Sequence, residues 1–396
     1  MVADPQVHSE EKKARIAKAS RKLAEALRET PRRRPAIALV PLEPEEAARE
    51  AGLYYVAMSP MPLGIRRLKS GKGFRFLAPD GSTIRDKSEI KRIHAIVIPP
   101  AWTEVWICPS RLGHIQAVGR DARGRKQYRY HARWRHVRDE NKYGQLTAFA
   151  AMLPAIRRRV RKDLARHGLP REKVIATVVR LLELTMMRIG NEEYARHNRS
   201  FGLTTLRDHH ATIRGHALVF KFRGKSGKEH RLRVEDPRLS RIVKACQDLP
   251  GYELFQYLDD EGKRQSVDSS DVNAYLREIT GADVSAKVFR TWAGTVRAVA
   301  AMRAWKPEEG ARKRGPSTRV VSDMVKDVAK QLGNTPAICR KCYIHPAVIQ
   351  SFQKGELAER LEELAGHPSP VRGLKENERL TLLFVSDATE RARAVA

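Results

Sequence analysis

The chain has 396 residues, 41% of them hydrophobic, and its 76 Lys and Arg outweigh 46 Asp and Glu to give a formal charge of +30. So basic a surface wants a polyanion, with nucleic acid foremost, and the length suggests about two or three domains. Four cysteines make no disulfide framework, no apolar run approaches the ~20 residues of a bilayer span, and the N-terminus lacks an apolar signal core, all of which points to a reducing cytoplasm without membrane contact.

Residues 1–34 hold ten basic and five acidic residues and read as a basic flexible tail, partly helical through Ile16, Leu23 and Leu27 and ending at TPRRRP. Only five of the thirty net positive charges lie there, so the folded body is itself basic. Residues 35–135 read as a β-rich domain of short strands punctuated by turns. In it GKGFRFLAPDGSTI gives a strand, a PDG turn and a strand, followed by IHAIVIPP, EVWICP and GHIQAVGRDARGRKQYRYH. Alternation in KQYRY puts Gln127 and Arg129 on one face and Tyr128 and Tyr130 on the other. Gln127 can pair with adenine and the tyrosine hydroxyls can reach phosphates, yet the same strand is compatible with aromatics packed inward.

Residues 136–396 read as mainly helical. Val174, Val178, Leu181, Leu182 and Thr185 recur at helical spacing and predict one buried stripe that stops near Arg188. HALVFKFRGKSGKEHRLRV predicts a small β-hairpin carrying Lys221, Arg223, Lys225 and Lys228, each a candidate phosphate contact. KVFRTWAGT holds Arg290 in an otherwise apolar run, and SDMVKDVAKQLG is a second amphipathic helix. Gly333 then ends that helix, Asn334 or Thr335 caps the next, and Pro336 sits at a first helical position, which puts Asn334 and Tyr343 at opposite ends of a short helix. Two helices, in GELAERLEELAG and LKENERLTLLFVSD, close the chain and either support the tyrosine segment or project from it.

Tyr343 in GNTPAICRKCYIHP admits three readings: a packed aromatic, part of a metal site on Cys339 and Cys342 with His345, or a nucleophile. A CxxC pair is half a zinc site, and no second pair completes it. A phenol attacks a phosphodiester only in a concentrated positive field, with guanidinium forks on the non-bridging oxygens, a proton donor for the leaving oxygen and one further N–H. Arg188, Lys225, Arg290 and Asn334 supply that set in chain order. GKSGK lacks a P-loop frame, no DxD-like acidic cluster stands out, and the Arg/Lys set makes a catalytic metal unnecessary, so neither cofactor nor metal is expected.

These segments, MMRIGNEEY, FRGKSGK, KVFRTWAGT, LGNTP and RKCYIHP, together with AIVIPPAW, EVWICP and GRDARGRKQYRYH, resemble type IB DNA topoisomerases of the small poxvirus and bacterial kind over about residues 50–350. The resemblance implies an α+β fold, with a β-rich N-terminal DNA clamp followed by a mainly helical catalytic domain of the tyrosine recombinase/type IB kind. It implies a monomer clamped on double-stranded DNA in the bacterial cytoplasm, at the nucleoid, relaxing supercoils of either sign without ATP or metal. Tyr343 would form a 3′-phosphotyrosyl linkage, Arg188 and Arg290 would bind the scissile phosphate, Lys225 would protonate the 5′-oxygen, and Gln127, Tyr128 and Tyr130 would lie at the DNA. Asn334 stands where many members have histidine, so it can donate a hydrogen bond but not relay a proton.

Two rivals differ at named positions. A tyrosine recombinase or integrase would typically carry histidine where this chain has Lys287 and would lack the IPPAW and KQYRY segments. A basic DNA-compacting protein explains the charge but not the ordered set.

Overall fold

The structure, a computed structural model, describes residues 44–122, 124–306 and 315–395. The segment 1–34 read as a tail lies outside the described residues. The chain forms two compact units, which divide between Gly144 and Gln145. That division falls inside a helix, where composition does not change; the sequence reading divides instead at 135/136, where the β-type texture ends.

The N-terminal unit opens with helix α1 (Pro44–Glu50) and is built on strands β1 (Ile65–Ser70) and β2 (Gly73–Leu77), helix α2 (Lys87–Ala95), and strands β3 (Thr103–Ile107), β4 (Ile115–Arg120) and β5 (Lys126–Tyr130). The strands form one sheet in the order β2-β1-β3-β4-β5, every pairing antiparallel. Strand β3 alternates between two apolar clusters: Val105 and Ile107 pack with Ile65, Phe76 and Ile93, while Trp106 packs with Val56, Ile115 and Val118. Helix α2 corrects the β-type reading of IHAIVIPP, whose first three residues end the helix. Asp86 caps it by accepting from the backbone N–H groups of Ser88 (3.0 Å) and Glu89 (3.2 Å), a local signal that outweighs the strand-like look of the following IHAIVI.

Helix α3 (Ala132–Leu164) carries the boundary between the units. The second unit continues with α4 (Arg171–Thr185), α5 (Glu192–Asn198), β6 (Ala211–Arg214), β7 (Ala217–Arg223), β8 (Glu229–Glu235) and α6 (Pro237–Gln247). Next come β9 (Gln256–Leu258), β10 (Arg264–Ser266), α7 (Ser269–Thr280), α8 (Lys287–Ala304) and α9 (Thr318–Leu332). It ends with α10 (Pro336–Cys342), α11 (Pro346–Gln353), α12 (Leu357–Ala365) and α13 (Glu376–Val395). The protein is thus mixed α/β, with a sheet in its N-terminal region and a mainly helical C-terminal part. Among the described residues no helix is long and apolar enough to cross a membrane.

Two expectations change here. The predicted hairpin is the β7–β8 part of a three-stranded sheet, since β6 pairs with β7, and β9–β10 adds a separate ribbon. Helix α4 buries Val174 to Val179 in an unbroken run, together with Leu181, Leu182 and Thr185, so it is enclosed nearly all round rather than along one stripe. The two final helices support the tyrosine segment. Leu361 of α12 and Leu380, Leu383 and Phe384 of α13 share one core cluster with Cys339, Ile344 and Val325.

A buried histidine gives this unit a pH-sensitive joint. His210 is 8% exposed, its Nδ1 accepts the backbone N–H of Arg207 at 3.0 Å, and burial first, then the charges of His209 and Arg207, bring its pKa down to about 4. The unfolded chain protonates near 6.5 while the folded one stays neutral, so this contribution is complete above pH ~6.5 and is lost as pH falls toward 4, at no more than about 1.4 kcal/mol per pH unit. Urea unfolding at pH 7 and pH 4.5 should show a larger drop in midpoint for the parent than for His210→Asn; equal drops would rule the joint out.

Candidate active site

The predicted catalytic residues come from four places in the second unit, with Asn334 and Tyr343 at the two ends of α10. Helix α4 ends at Met186, a C-cap in the left-handed region (φ 56°), and the chain that follows presents Arg188. The backbone there is pinned, because Leu203 and Thr204 donate their N–H groups to the carbonyls of Arg188 (2.9 Å) and Ile189 (2.7 Å). Lys225 lies in the tight turn between β7 and β8, where the N–H of Gly224 donates to the carbonyl of Lys228 at 2.8 Å and Ser226 adopts φ 65°. Arg290 projects from α8. Asn334 precedes α10, whose cap is Thr335, with its hydroxyl accepting from the N–H of Ile338, so of the two cap candidates the threonine takes the role.

The structure brings these groups together. Arg188 donates to Oδ1 of Asn334 at 2.5 Å. That orientation leaves Nδ2 of Asn334 buried without a partner among the described residues, a donor available to an oxyanion. Arg290, 4% exposed, donates from its two terminal nitrogens to the carbonyls of Met186 and Leu332, the latter at 2.8 Å. Each terminal nitrogen keeps a second N–H. Its guanidinium carbon stands 5.0 Å from the centre of the Tyr343 ring. Arg188, Lys225 and Arg290 line one pocket with His230 and Phe222.

The electrostatics follow from this crowding. Burial, the strongest influence, raises the pKa of the Tyr343 phenol, but the charge and hydrogen-bonding reach of Arg290 and the charge of Arg188 together hold it below the ordinary value. Arg290 is itself pulled down, by burial and then by the like charge of Arg188. Two guanidinium groups therefore repel each other where a phosphate would neutralise both. Of the cysteines beside the tyrosine, Cys339 is buried in the apolar cluster, and burial pushes its thiol up to about 11. Among the described residues no three His, Cys, Asp or Glu side chains are grouped to hold a metal.

Residues the sequence reading passed over seat the tyrosine. A Cβ on Gly294, one turn beyond Arg290 in α8, would lie 2.5 Å from the carbonyl oxygen of Tyr343 and 3.1 Å from its Cβ. The Thr295 hydroxyl accepts the N–H of His345 at 3.2 Å and donates to the carbonyl of Thr291 at 2.9 Å. A glycine inside a strongly helical run was the available signal. Gly294→Ala should push the Tyr343 backbone off α8 and slow single-turnover DNA cleavage by about 10²-fold, since misplacements near 1 Å cost that much; DNA binding by gel shift should hold. An unchanged cleavage rate would show that the contact is not needed.

The candidate DNA contacts fall on exposed surfaces except for Gln127, which is half-buried. Lys221 and Arg223 alternate on the exposed face of β7, and Lys221 stands directly opposite Arg231 of β8, a residue not anticipated. Like charges directly opposed across a sheet are destabilising on their own, which suits a surface made for a polyanion. Lys228 is exposed just before β8. In the N-terminal unit Tyr128 and Tyr130 face outward on edge strand β5, 38% and 37% exposed, and stack on one another at 5.8 Å. Gln127 gives one amide N–H to Asp121 at 3.0 Å, and Arg129 turns back to the carbonyl of Val97.

Comparison with known proteins agrees in both regions. Residues 131–365 match the family described as eukaryotic DNA topoisomerase I, catalytic core, and residues 73–121 match the bacterial DNA topoisomerase IB, N-terminal domain. The chain is 30% identical to a DNA topoisomerase 1B of Acanthamoeba polyphaga mimivirus over 294 residues, 73% of this chain and 88% of the relative. It is 20% identical to the DNA topoisomerase 1B of vaccinia virus over 258 residues, 64% of this chain and 76% of that one. It is 31% identical to the DNA topoisomerase 1 of Schizosaccharomyces pombe over 156 residues, 39% of this chain and 18% of that one.

Proposed function

The chain belongs to the type IB DNA topoisomerase family, and from its activity as a DNA topoisomerase I we propose that Tyr343 is the nucleophile that opens one strand. The Tyr343 phenol releases its proton to water as its oxygen attacks the scissile phosphorus, and the bond from phosphorus to the 5′-oxygen breaks. Lys225 gives that oxygen its proton, and the 3′-end stays on the tyrosine as a phosphodiester. Arg188 and Arg290 hold the non-bridging oxygens as charge builds on them, and the free Nδ2 of Asn334 adds a third donor.

Because one phosphodiester replaces another, the step is nearly balanced in energy, and the freed 5′-hydroxyl reseals the strand without ATP. Rotation between the two steps relaxes torsion of either sign. Lys221, Arg223 and Lys228 contact the backbone near the cut, and Gln127, Tyr128 and Tyr130 contact the duplex from the other unit, with the protein acting as a monomer clamped on DNA at the bacterial nucleoid.

The observation that carries these roles is the Arg290 guanidinium 5.0 Å from the Tyr343 ring, in a pocket that Arg290 lines together with Arg188 and Lys225. Supercoiled plasmid incubated with the protein and quenched in detergent should yield a covalent adduct on a denaturing gel, with chelator as without, whose labelled peptide contains Tyr343. A label on any other residue would remove the assignment, and a chelator-sensitive adduct would remove the metal-free chemistry.

A further inference from the structure

His230 has no part in the roles assigned above, yet it sits at their centre. It lies on β8 directly opposite Phe222 of β7, and its ring stacks on that phenyl with centroids 5.1 Å apart and planes 12° from parallel. The edges of the ring occupy space that two glycines leave open. A Cβ on Gly224 would lie 2.6 Å from Cδ2 of His230, and a Cβ on Gly333 would lie 2.3 Å from its Cε1. Gly224 immediately precedes Lys225, and Gly333 immediately precedes Asn334. One imidazole is therefore wedged between the backbone of the turn that carries the proton donor and the backbone of the turn that carries the amide.

The ring acts there by shape. Its nitrogens make no side-chain hydrogen bond to a described residue. Burial first, and then Arg188, Lys228 and Arg290, hold its pKa below the ordinary histidine value, and Lys225 lines the same pocket, so at neutral pH it is uncharged among cations. A side chain smaller than imidazole would leave a gap beside two glycines, the residues with the greatest freedom to move into it.

We propose that His230 is a positioning residue whose ring, braced against the backbone of Gly333, holds the Lys225 turn in place. This rests on the reading of Lys225 as the proton donor. The test uses the full-length protein and single-turnover cleavage of a duplex whose scissile 5′-bridging atom is either oxygen or sulfur. A thiolate departs without a proton, so a defect caused by a misplaced donor disappears on the sulfur substrate, whereas a general structural defect persists on both.

His230→Ala should cleave the oxygen substrate on the order of 10²-fold more slowly than the parent and the sulfur substrate within about threefold of it. His230→Phe, which keeps a flat ring, should stay within about tenfold of the parent on oxygen. Lys225→Ala serves as the reference and should be slow on oxygen and relieved by sulfur. If Lys225→Ala is relieved and His230→Ala is equally slow on both substrates, the inference falls while the role of Lys225 stands. If Lys225→Ala is not relieved, the donor role falls and the positioning role with it. A His230→Phe variant as slow on oxygen as His230→Ala would also overturn the proposal, because shape would not be what matters.

Discussion

Tyr343→Phe should form no covalent adduct and relax no plasmid, while its affinity for duplex DNA stays within about twofold of the parent's. The ring packs against the core cluster that holds Cys339 and Ile344, and phenylalanine keeps that packing and every cation of the pocket. Only the attacking oxygen is lost, and in the proposed chemistry nothing else can replace it as a nucleophile. Gel-shift affinity and denaturing-gel adduct yield, measured on one preparation, separate the two effects. A residual adduct above background would mean that another side chain attacks. A variant that no longer binds would mean that the hydroxyl has a structural duty in addition.

The second large effect is expected at Arg290. It loads one charge with three tasks: it holds the carbonyls that end two helices, it lowers the Tyr343 phenol, and in the proposed chemistry it offers N–H groups to the phosphate. Loss of a single preorganised donor to a charged transition state costs about 10²–10³-fold, and loss of the phenol's stabilising charge adds to that, so Arg290→Ala should slow single-turnover cleavage by roughly 10³-fold or more. Asn334→Ala removes one neutral donor and should cost less, about 10- to 10²-fold.

The pH profile supplies an independent check on the same residue. Cleavage should rise with pH through an inflection below the ordinary phenol value of about 10, and Arg290→Ala should move that inflection upward. Equal cleavage losses for Arg290→Ala and Asn334→Ala would refute the ranking. An inflection that stays in place would show that Arg290 does not tune the nucleophile.

The candidate site was legible where the proposed chemistry is demanding and opaque where geometry alone decides. A phenol cannot attack a phosphodiester without concentrated positive charge, so Arg188, Lys225, Arg290, Asn334 and Tyr343 stood out as a set. What could not be read was how residues so far apart in sequence approach one another: Asn334 bonded to Arg188, or Arg290 against the ring of Tyr343, depends on helix crossings that no spacing encodes. Gly294 and His230 escaped for the same reason, because a missing Cβ and a wedged ring acquire meaning only from what lies across from them.

The fold shows the same division. Helix α9, with Val325 and Leu332 buried on one face, follows directly from its periodicity. Helix α2 was hidden by strand-like neighbours, β6 is only four residues long, and the all-round burial of α4 reflects its central place, which apolar composition suggests but does not specify.

The scattering of the active residues over separate elements carries a last consequence, on the assignment proposed here. While the polypeptide is being made, Arg188 and Lys225 emerge well before Tyr343, and an unfolded tyrosine keeps an ordinary, poorly nucleophilic phenol. Strand-breaking power then appears only when the C-terminal helices close over Ile344. A protein that breaks DNA strands is in this way harmless as a nascent chain, because a chain that stops short of the C-terminal helices can stick to DNA through its positive charge and still lacks the assembled means to break it.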